Sequence, residues 1–377
     1  MIRRKDMDLD ELRQRINACD QTIMEEFTRR MELCKQVALY KQSQGMQIFQ
    51  TSREKEILDR VRNQSPEGLD GSATLLFQTL MDISKYLQYR ELHKNPGTYV
   101  FKALNISPDS SVVCQGMPGA NSETAARQIF GQNCRPVFLR TFSDVFDAVQ
   151  QGKVQFGIIP VQNSTAGSVV QAYDLMSDYN FYITRTTVVE ITNCLCVKPG
   201  TELEDVKDVY SHPQALSQCS HFIVKNGLKP HEYSNTATAA QFVMQSEEPI
   251  AAICSENCAE MHGMKILARR ISDYVPNYTR FFCISKELLL SEDADRISVV
   301  LKLPHEEGSL HRLLSKFVIA GLNLLKLESR PIRNGSFEVM FYLDFSGNIH
   351  DSAVSALLSD LSENLEYFKF LGNYGEI

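Results

Sequence analysis

Leu9, Leu12, Ile16, Cys19, Ile23, Phe27, Leu33 and Val37 recur at helical spacing and form one apolar stripe, which runs until Gly45 interrupts it. Two shorter helical patterns follow. One runs from about Thr51 to Arg62 and stops at the Pro66-Glu67-Gly68 turn; the other runs from about Ser72 to Leu92, with Leu76, Leu80, Ile83 and Leu87 on one face. Helices of such unequal length close a poor bundle alone. The long stripe therefore invites a second chain, and a homodimer or higher homo-oligomer is expected.

The rest of the chain changes character. Asn95-Pro96-Gly97 through Ser107-Pro108-Asp109 reads as a linker, and from Ser111 to about Leu289 short β-branched runs alternate with helical patterns. Val154 to Pro160, Tyr182 to Val189, Cys194 to Val197 and Ala251 to Cys254 are such runs, which fits an α/β domain with mixed sheets. The polar break Ser291-Glu292-Asp293-Ala294-Asp295 precedes a final unit: strand Ile297–Leu303, helix Leu310–Ala320, strand Leu322–Ile332, strand Phe337–Phe345, helix Ser352–Leu361 and strand Tyr367–Leu371. This βαββαβ order is the ferredoxin-like arrangement. The expected division is 1–94 helical, 95–110 linker, 111–289 α/β, 290–296 linker and 297–377 ferredoxin-like.

A chain of 377 residues with 43% hydrophobic residues can bury cores of this kind, and its formal net charge of −7 argues against nucleic acid or an anionic membrane as main partner. No run is long and apolar enough to span a bilayer. The charged start Met1-Ile2-Arg3-Arg4-Lys5-Asp6 has no apolar core of a secretory signal, so a cytoplasmic location is expected. The 10 cysteines lack disulfide-module spacing; Cys194, Cys196, Cys254 and Cys258 read as buried thiols rather than a zinc site, and no metal or cofactor is expected.

An acidic protein that binds anions must concentrate its cations. Arg30 lies eighteen residues after Leu12, five full turns, and so falls inside the apolar stripe; Lys41 returns to within about 20° of it. Two cations on one inner face suit a bound anion, an intersubunit salt bridge or snorkelling. Ser84 and Gln88 form an i, i+4 pair able to bond one ligand.

This arrangement, with Leu12-Arg13-Gln14-Arg15-Ile16, Asp20 and Arg53-Glu54, resembles the all-helical chorismate mutase family over roughly the first 94 residues. The resemblance implies a pericyclic rearrangement of chorismate to prephenate. Such a step needs no acid, base or nucleophile, only a cationic pocket that holds two carboxylates and stabilises charge on the ether oxygen. It implies Arg13 (reaching into the partner's site), Arg30 and Arg53 as carboxylate clamps, Lys41 and Gln88 as donors to the ether oxygen, Ser84 as a further contact, and Glu54 for the ring hydroxyl. Gln50 departs from the family's acid.

In the middle region, Gln115 to Ala126 is a Gly-punctuated turn with Ser122 placed to cap a helix. Pro160-Val161-Gln162-Asn163-Ser164-Thr165-Ala166-Gly167-Ser168 offers hydroxyls and free N–H groups to an anion, and Asn277-Tyr278-Thr279-Arg280-Phe281 pairs a hydroxyl with a cation. Together with Tyr210-Ser211-His212-Pro213-Gln214, Gln218-Cys219, Asn235-Thr236-Ala237 and Ala251-Ala252-Ile253 leading to Glu256, they resemble prephenate dehydratase over about 111–288. Gln162 and Asn121 depart from the family's usual glutamate and tyrosine. The resemblance implies two α/β lobes with the site between them. There prephenate loses carbon dioxide and hydroxide, Thr279 donates a hydrogen bond to the leaving hydroxide, Asn163, Ser164, Ser211 and Gln218 orient substrate, and Arg280 holds a carboxylate. The absent G-x-G-x-x-G fingerprint disfavours a nicotinamide-dependent oxidation of the same substrate.

In the last unit, Glu328-Ser329-Arg330-Pro331 with Gly308-Ser309-Leu310 resembles an ACT domain. It implies a phenylalanine effector held by Gly308, Leu310, Glu328, Ser329 and Arg330. The whole chain resembles the bifunctional chorismate mutase–prephenate dehydratase family. Two alternatives stay open: a dehydratase whose helical part only dimerises, and a two-lobed solute sensor without chemistry.

Overall fold

The computed structural model describes residues 8–46, 48, 51–92, 99–332 and 338–377. Gln50, the linker residues Asn95, Pro96 and Gly97, Phe337 and the charged start of the chain lie outside them.

Helices α1 (Leu9–Ser43), α2 (Thr51–Gln64) and α3 (Asp70–Leu92) come first. Then follow β1 (Lys102–Ala103), β2 (Val112–Gln115), α4 (Asn121–Phe130), β3 (Val137–Leu139), α5 (Phe142–Gln150), β4 (Phe156–Asn163), β5 (Gly167–Ser168), α6 (Val170–Asp178) and β6 (Tyr182–Glu190). The next run is β7 (Cys194–Val197), β8 (Asp208–Ser211), α7 (Pro213–Gln218), α8 (Ser220–Lys225), β9 (Lys229–Glu232), α9 (Thr236–Gln245), β10 (Ala251–Cys254), α10 (Glu256–Met261), β11 (Lys265–Ala268), β12 (Tyr278–Ser285) and β13 (Leu289–Leu290). The chain closes with β14 (Arg296–Lys302), α11 (Ser309–Ala320), β15 (Leu324–Pro331), β16 (Val339–Ser346), α12 (Ser352–Asn364) and β17 (Tyr367–Glu376).

The chain forms two compact units, Met1–Tyr99 with Val299–Lys369, and Val100–Ser298 with Phe370–Ile377. In the first, α3 packs against α1 and α2 on one side and α11 and α12 on another. That corrects the expected single face of Leu76, Leu80, Ile83 and Leu87. Leu76 is exposed, and the buried positions are instead Met81, Asp82, Ser84, Tyr86, Gln88 and Tyr89, because a helix covered from several sides has no one inner stripe. Tyr86, Tyr89 and Ile48 share an apolar cluster with Ala320 and Ala356, and the Tyr89 hydroxyl donates to Glu363 at 2.8 Å. By contrast Leu9, Leu12, Ile16, Ile23, Leu33 and Val37 on α1 are exposed, Ile23 at 64%. The C-terminal elements run β-α-β-β-α-β in strand order β15-β16-β14-β17, with β15 and β16 antiparallel, Glu328 opposite Tyr342.

Besides the short parallel pair β1-β13, the described residues of the second unit form two sheets. One is β11-β7-β10-β8-β9; the other runs β17-β6-β12-β4-β2-β3, with β5 on β4. The chain crosses between them after β6 and again after β11, which makes two lobes with separate apolar cores. Local chemistry sets the helices: Thr141 and Asp144 close a capping box at the start of α5. Gly157 in β4 lets α5 lie close, since a Cβ there would sit 2.8 Å from Val145. All ten cysteines are unbridged and eight are buried. Among the described residues no helix is long and apolar enough to cross a membrane.

Candidate functional site

Between the two sheets of the second unit lies a cavity of about 370 Å³, the size of a small-molecule site. Among the described residues, its wall contains no Asp, Glu, Lys or Arg. What it has instead is helix ends. The N-cap residues of α4 (Ala120), α6 (Val169), α7 (His212), α9 (Asn235) and α10 (Ser255) all line it. Three of these helices, α4, α6 and α9, run nine or ten residues, long enough for their N–H groups and dipoles to favour negative charge.

Asn163, at the end of β4, organises one wall. Its Nδ2 donates to the Asn277 Oδ1 at 2.7 Å, the Tyr278 carbonyl at 3.1 Å and the Thr279 Oγ1 at 3.0 Å. Its Oδ1 accepts from Thr165 Oγ1 at 2.7 Å and from the Ala166 N–H at 2.9 Å. Gln218 Nε2 donates to Thr165 Oγ1 at 2.9 Å, and Gln218 Oε1 accepts from Asn277 at 3.2 Å. The consequence for Thr279 is directional. Its oxygen is occupied by Asn163, so its proton is the part left to donate into the cavity.

His212 supplies a second neutral donor. Its Nδ1 accepts from the Gln214 N–H at 3.2 Å, which assigns the ring proton to Nε2. Burial lowers its pKa, only partly offset by Glu232, so it is uncharged at neutral pH.

Thr279, Asn163 and Gln218 thus meet in one wall, but three expected residues do not. Arg280 alternates to the opposite face of β12 from Thr279 and Phe281, and its guanidinium pairs with Glu376 at 3.2 Å. Ser211 is fully buried and donates to the Ile253 carbonyl at 2.6 Å. Ser164 sits on an exposed turn, where its hydroxyl accepts from the Tyr278 N–H at 2.9 Å. Ser122 does not cap α4 either: it lies within the helix and donates to the Gln115 carbonyl. Of the two departures, Asn121 lines the cavity and Gln162 does not. The missed wall residues, His212, Asn235 and Ser255, share a readable signal, since each immediately precedes a helix.

In the first unit Arg30 donates to the Leu80 carbonyl at 3.0 Å and to the Ser84 hydroxyl, joining α1 to α3. Gln88, one turn beyond Ser84, is buried with its Oε1 unbonded. Lys41 is buried and donates to the Ile48 carbonyl at 2.5 Å; burial lowers its pKa, with Glu54 opposing. Glu54 is engaged by Lys85 at 2.9 Å; burial would lower the Lys85 pKa, but Asp82 and Glu54 outweigh it and hold it above the usual value. Arg53 pairs with Glu56 on the surface, and Arg13 is exposed beside Asp10 at 3.3 Å. Arg13 therefore takes no part in a site built from its own chain.

In the last unit Gly308 is the left-handed N-cap of α11, and Leu310 is partly exposed. Along β15 Glu328 and Arg330 are half-buried while Ser329 is exposed.

Two family profiles match the chain, chorismate mutase type II over residues 12–89 and prephenate dehydratase over residues 112–288. Arogenate dehydratase/prephenate dehydratase 1 of Arabidopsis thaliana is 36% identical over 69% of this chain and 70% of its own. The bifunctional chorismate mutase/prephenate dehydratase of Aquifex aeolicus is 29% identical over 97% of this chain and 98% of its own. Among solved structures, prephenate dehydratase from Arthrobacter aurescens in complex with L-Phe superposes with a TM-score of 0.65 at 29% identity, covering 70% of this chain and 89% of that one. The two-lobed unit is therefore a prephenate dehydratase domain. With mutase helices ahead of it, the chain belongs to the bifunctional chorismate mutase/prephenate dehydratase family.

Proposed function

We propose that the chain rearranges chorismate to prephenate on its helices and converts prephenate to phenylpyruvate in the two-lobed cavity, in the service of phenylalanine synthesis and under phenylalanine control. One observation carries the second reaction: an uncharged cavity walled by five helix N-caps, with the Thr279 proton free to donate. Prephenate is a dianion, and helix N-termini hold anions without a cationic side chain. In the reaction the ring carboxylate leaves as carbon dioxide and so loses its charge. A cation fixed on it would stabilise the ground state and slow that loss. The bonding pair moves through the ring and expels the hydroxyl, which takes a proton from the medium and leaves as water. Thr279 assists by donating a hydrogen bond to the departing oxygen, while Asn163 and Gln218 orient the substrate.

For the first reaction, Arg30 and Lys41 hold and polarise the bound dianion, with Ser84 and Gln88 beside them. Arg53 and Glu54 flank the site. The exposed stripe on α1 fits a second copy of the chain, whose Arg13 would complete the mutase site. The ferredoxin-like elements serve as an ACT domain binding phenylalanine near Gly308, Leu310, Glu328, Ser329 and Arg330. A cytoplasmic enzyme that needs no metal or cofactor fits both reactions.

Thr279→Val keeps the shape and removes the donor. Turnover on supplied prephenate should fall on the order of 100-fold or more, with little change in apparent affinity. Near-normal turnover would remove Thr279 from the mechanism. Calorimetry of phenylalanine with wild type and Ser329→Ala tests the effector site: undiminished binding by the variant would place it elsewhere.

A further inference from the structure

The last eight residues, Phe370–Ile377, belong to the compact unit that holds the cavity, although they end the ferredoxin-like pattern in sequence. They run along β6, with Gly375 opposite Arg185 and Glu376 opposite Thr186 in parallel register, and the Ile377 N–H donates to the Thr186 carbonyl at 2.9 Å. Gly372 permits this approach, since a Cβ there would lie 2.3 Å from the Ile183 carbonyl oxygen. Tyr374 is buried against Phe282 of β12, ring centroids 5.7 Å apart, and its hydroxyl meets Ser298 at 2.6 Å. The end of the chain is anchored to the sheet that carries Thr279.

Glu376 places one carboxylate between two guanidiniums, 3.2 Å from Arg280 and 2.9 Å from Arg296. Arg280 stands at an irregularity in the sheet. Thr279 pairs with Asn163 and Arg280 with Gln162, but Phe281 pairs with Pro160, so Val161 is skipped. A bulge of this kind re-aims neighbouring side chains, and here it lies one residue from the hydroxyl that Asn163 orients. Without the carboxylate two half-buried cations would face each other, a repulsion relieved by moving one of them.

We propose that Glu376 is a positioning residue for the dehydratase: by holding Arg280 on the outer face of β12, it fixes the bulge that aims the Thr279 hydroxyl into the cavity. This rests on the role given above to Thr279. The test uses the full chain with Glu376→Gln, which keeps the shape and removes the charge. Turnover on supplied prephenate should fall about 10- to 100-fold, as misplacement of a catalytic group does, with KM within about twofold. Glu376→Asp should recover part of the loss, and the circular dichroism and thermal unfolding of the variants, which report folding of both units, should match wild type. Glu376→Gln combined with Arg280→Gln should be no slower than Arg280→Gln alone, because the two act as one device. Wild-type turnover by folded Glu376→Gln alongside an inactive Thr279→Val overturns the positioning role and leaves Thr279 standing. Wild-type turnover by both removes the Thr279 reading as well. A double variant whose loss is the product of the single losses shows that Glu376 does not work through Arg280, and overturns the proposal too.

Discussion

The helical site and the two-lobed cavity face the same problem, a small dianion in an acidic protein, and meet it with opposite means. On the reading proposed above, the helices offer Arg30 and Lys41, side chains that would carry charge to the ligand from an otherwise apolar stripe. The cavity offers backbone N–H groups at helix ends and neutral side chains such as Asn163, Gln218 and His212. The difference follows the chemistry. A rearrangement that develops negative charge on an ether oxygen gains from a fixed cation, whereas a decarboxylation that discharges its own carboxylate does not.

That comparison can be broken in several ways. The largest effect should come from Arg30→Ala, which should cost on the order of 100-fold or more in mutase rate and leave dehydratase activity on prephenate intact. Collapse of both activities in a folded protein would join the two sites. Next, Ile23→Asp on the exposed α1 stripe should separate the chains and lower mutase activity on the order of tenfold at low protein concentration, because each site would lose its partner's Arg13. Dehydratase activity should not follow. Equal losses, checked by sedimentation, would mean that the cavity also needs the second copy.

A third effect is titration. Burial depresses the Lys41 pKa below the ordinary 10.5, so its ammonium is lost at a lower pH than usual. Mutase kcat/KM should therefore decline on the alkaline side while the dehydratase stays level. On the acid side the order reverses. His212 is depressed below 6.5, so it gains charge only under acidic conditions, where the dehydratase alone should respond through it. The smallest effect should be that of salt: raising ionic strength from about 0.05 to about 0.5 M, which shortens the Debye length roughly threefold, should raise the mutase KM roughly two- to threefold and barely move the dehydratase KM.

Much of this was legible in the sequence because periodicity and motif order survive folding. The helices, β7 and β10 fall where spacing puts them, and Thr279 with Asn163 and Gln218 form one wall. The departures are confined to single residues and faces, but only some of their causes are local. Ser211 and His212 are adjacent, and only the turn from β8 into α7 decides which faces the cavity. Arg280 reads as a ligand from its motif, but strand alternation and a carboxylate at the far end of the chain take it to the other face. No local pattern announces a partner 96 positions away. The same holds for α3, whose burial depends on α11 and α12.

The packing of α3 also bears on how the chain is made. Tyr89 and its partner Glu363 are 274 residues apart. At roughly 5–20 residues per second, a ribosome needs roughly 14–55 s to deliver the second after the first. For most of that interval Tyr86, Tyr89 and their apolar neighbours have neither α11 nor α12 to cover them, and α12 is complete only at its end. Although α3 is translated long before α11 and α12, it must therefore be among the last elements to reach its final packing.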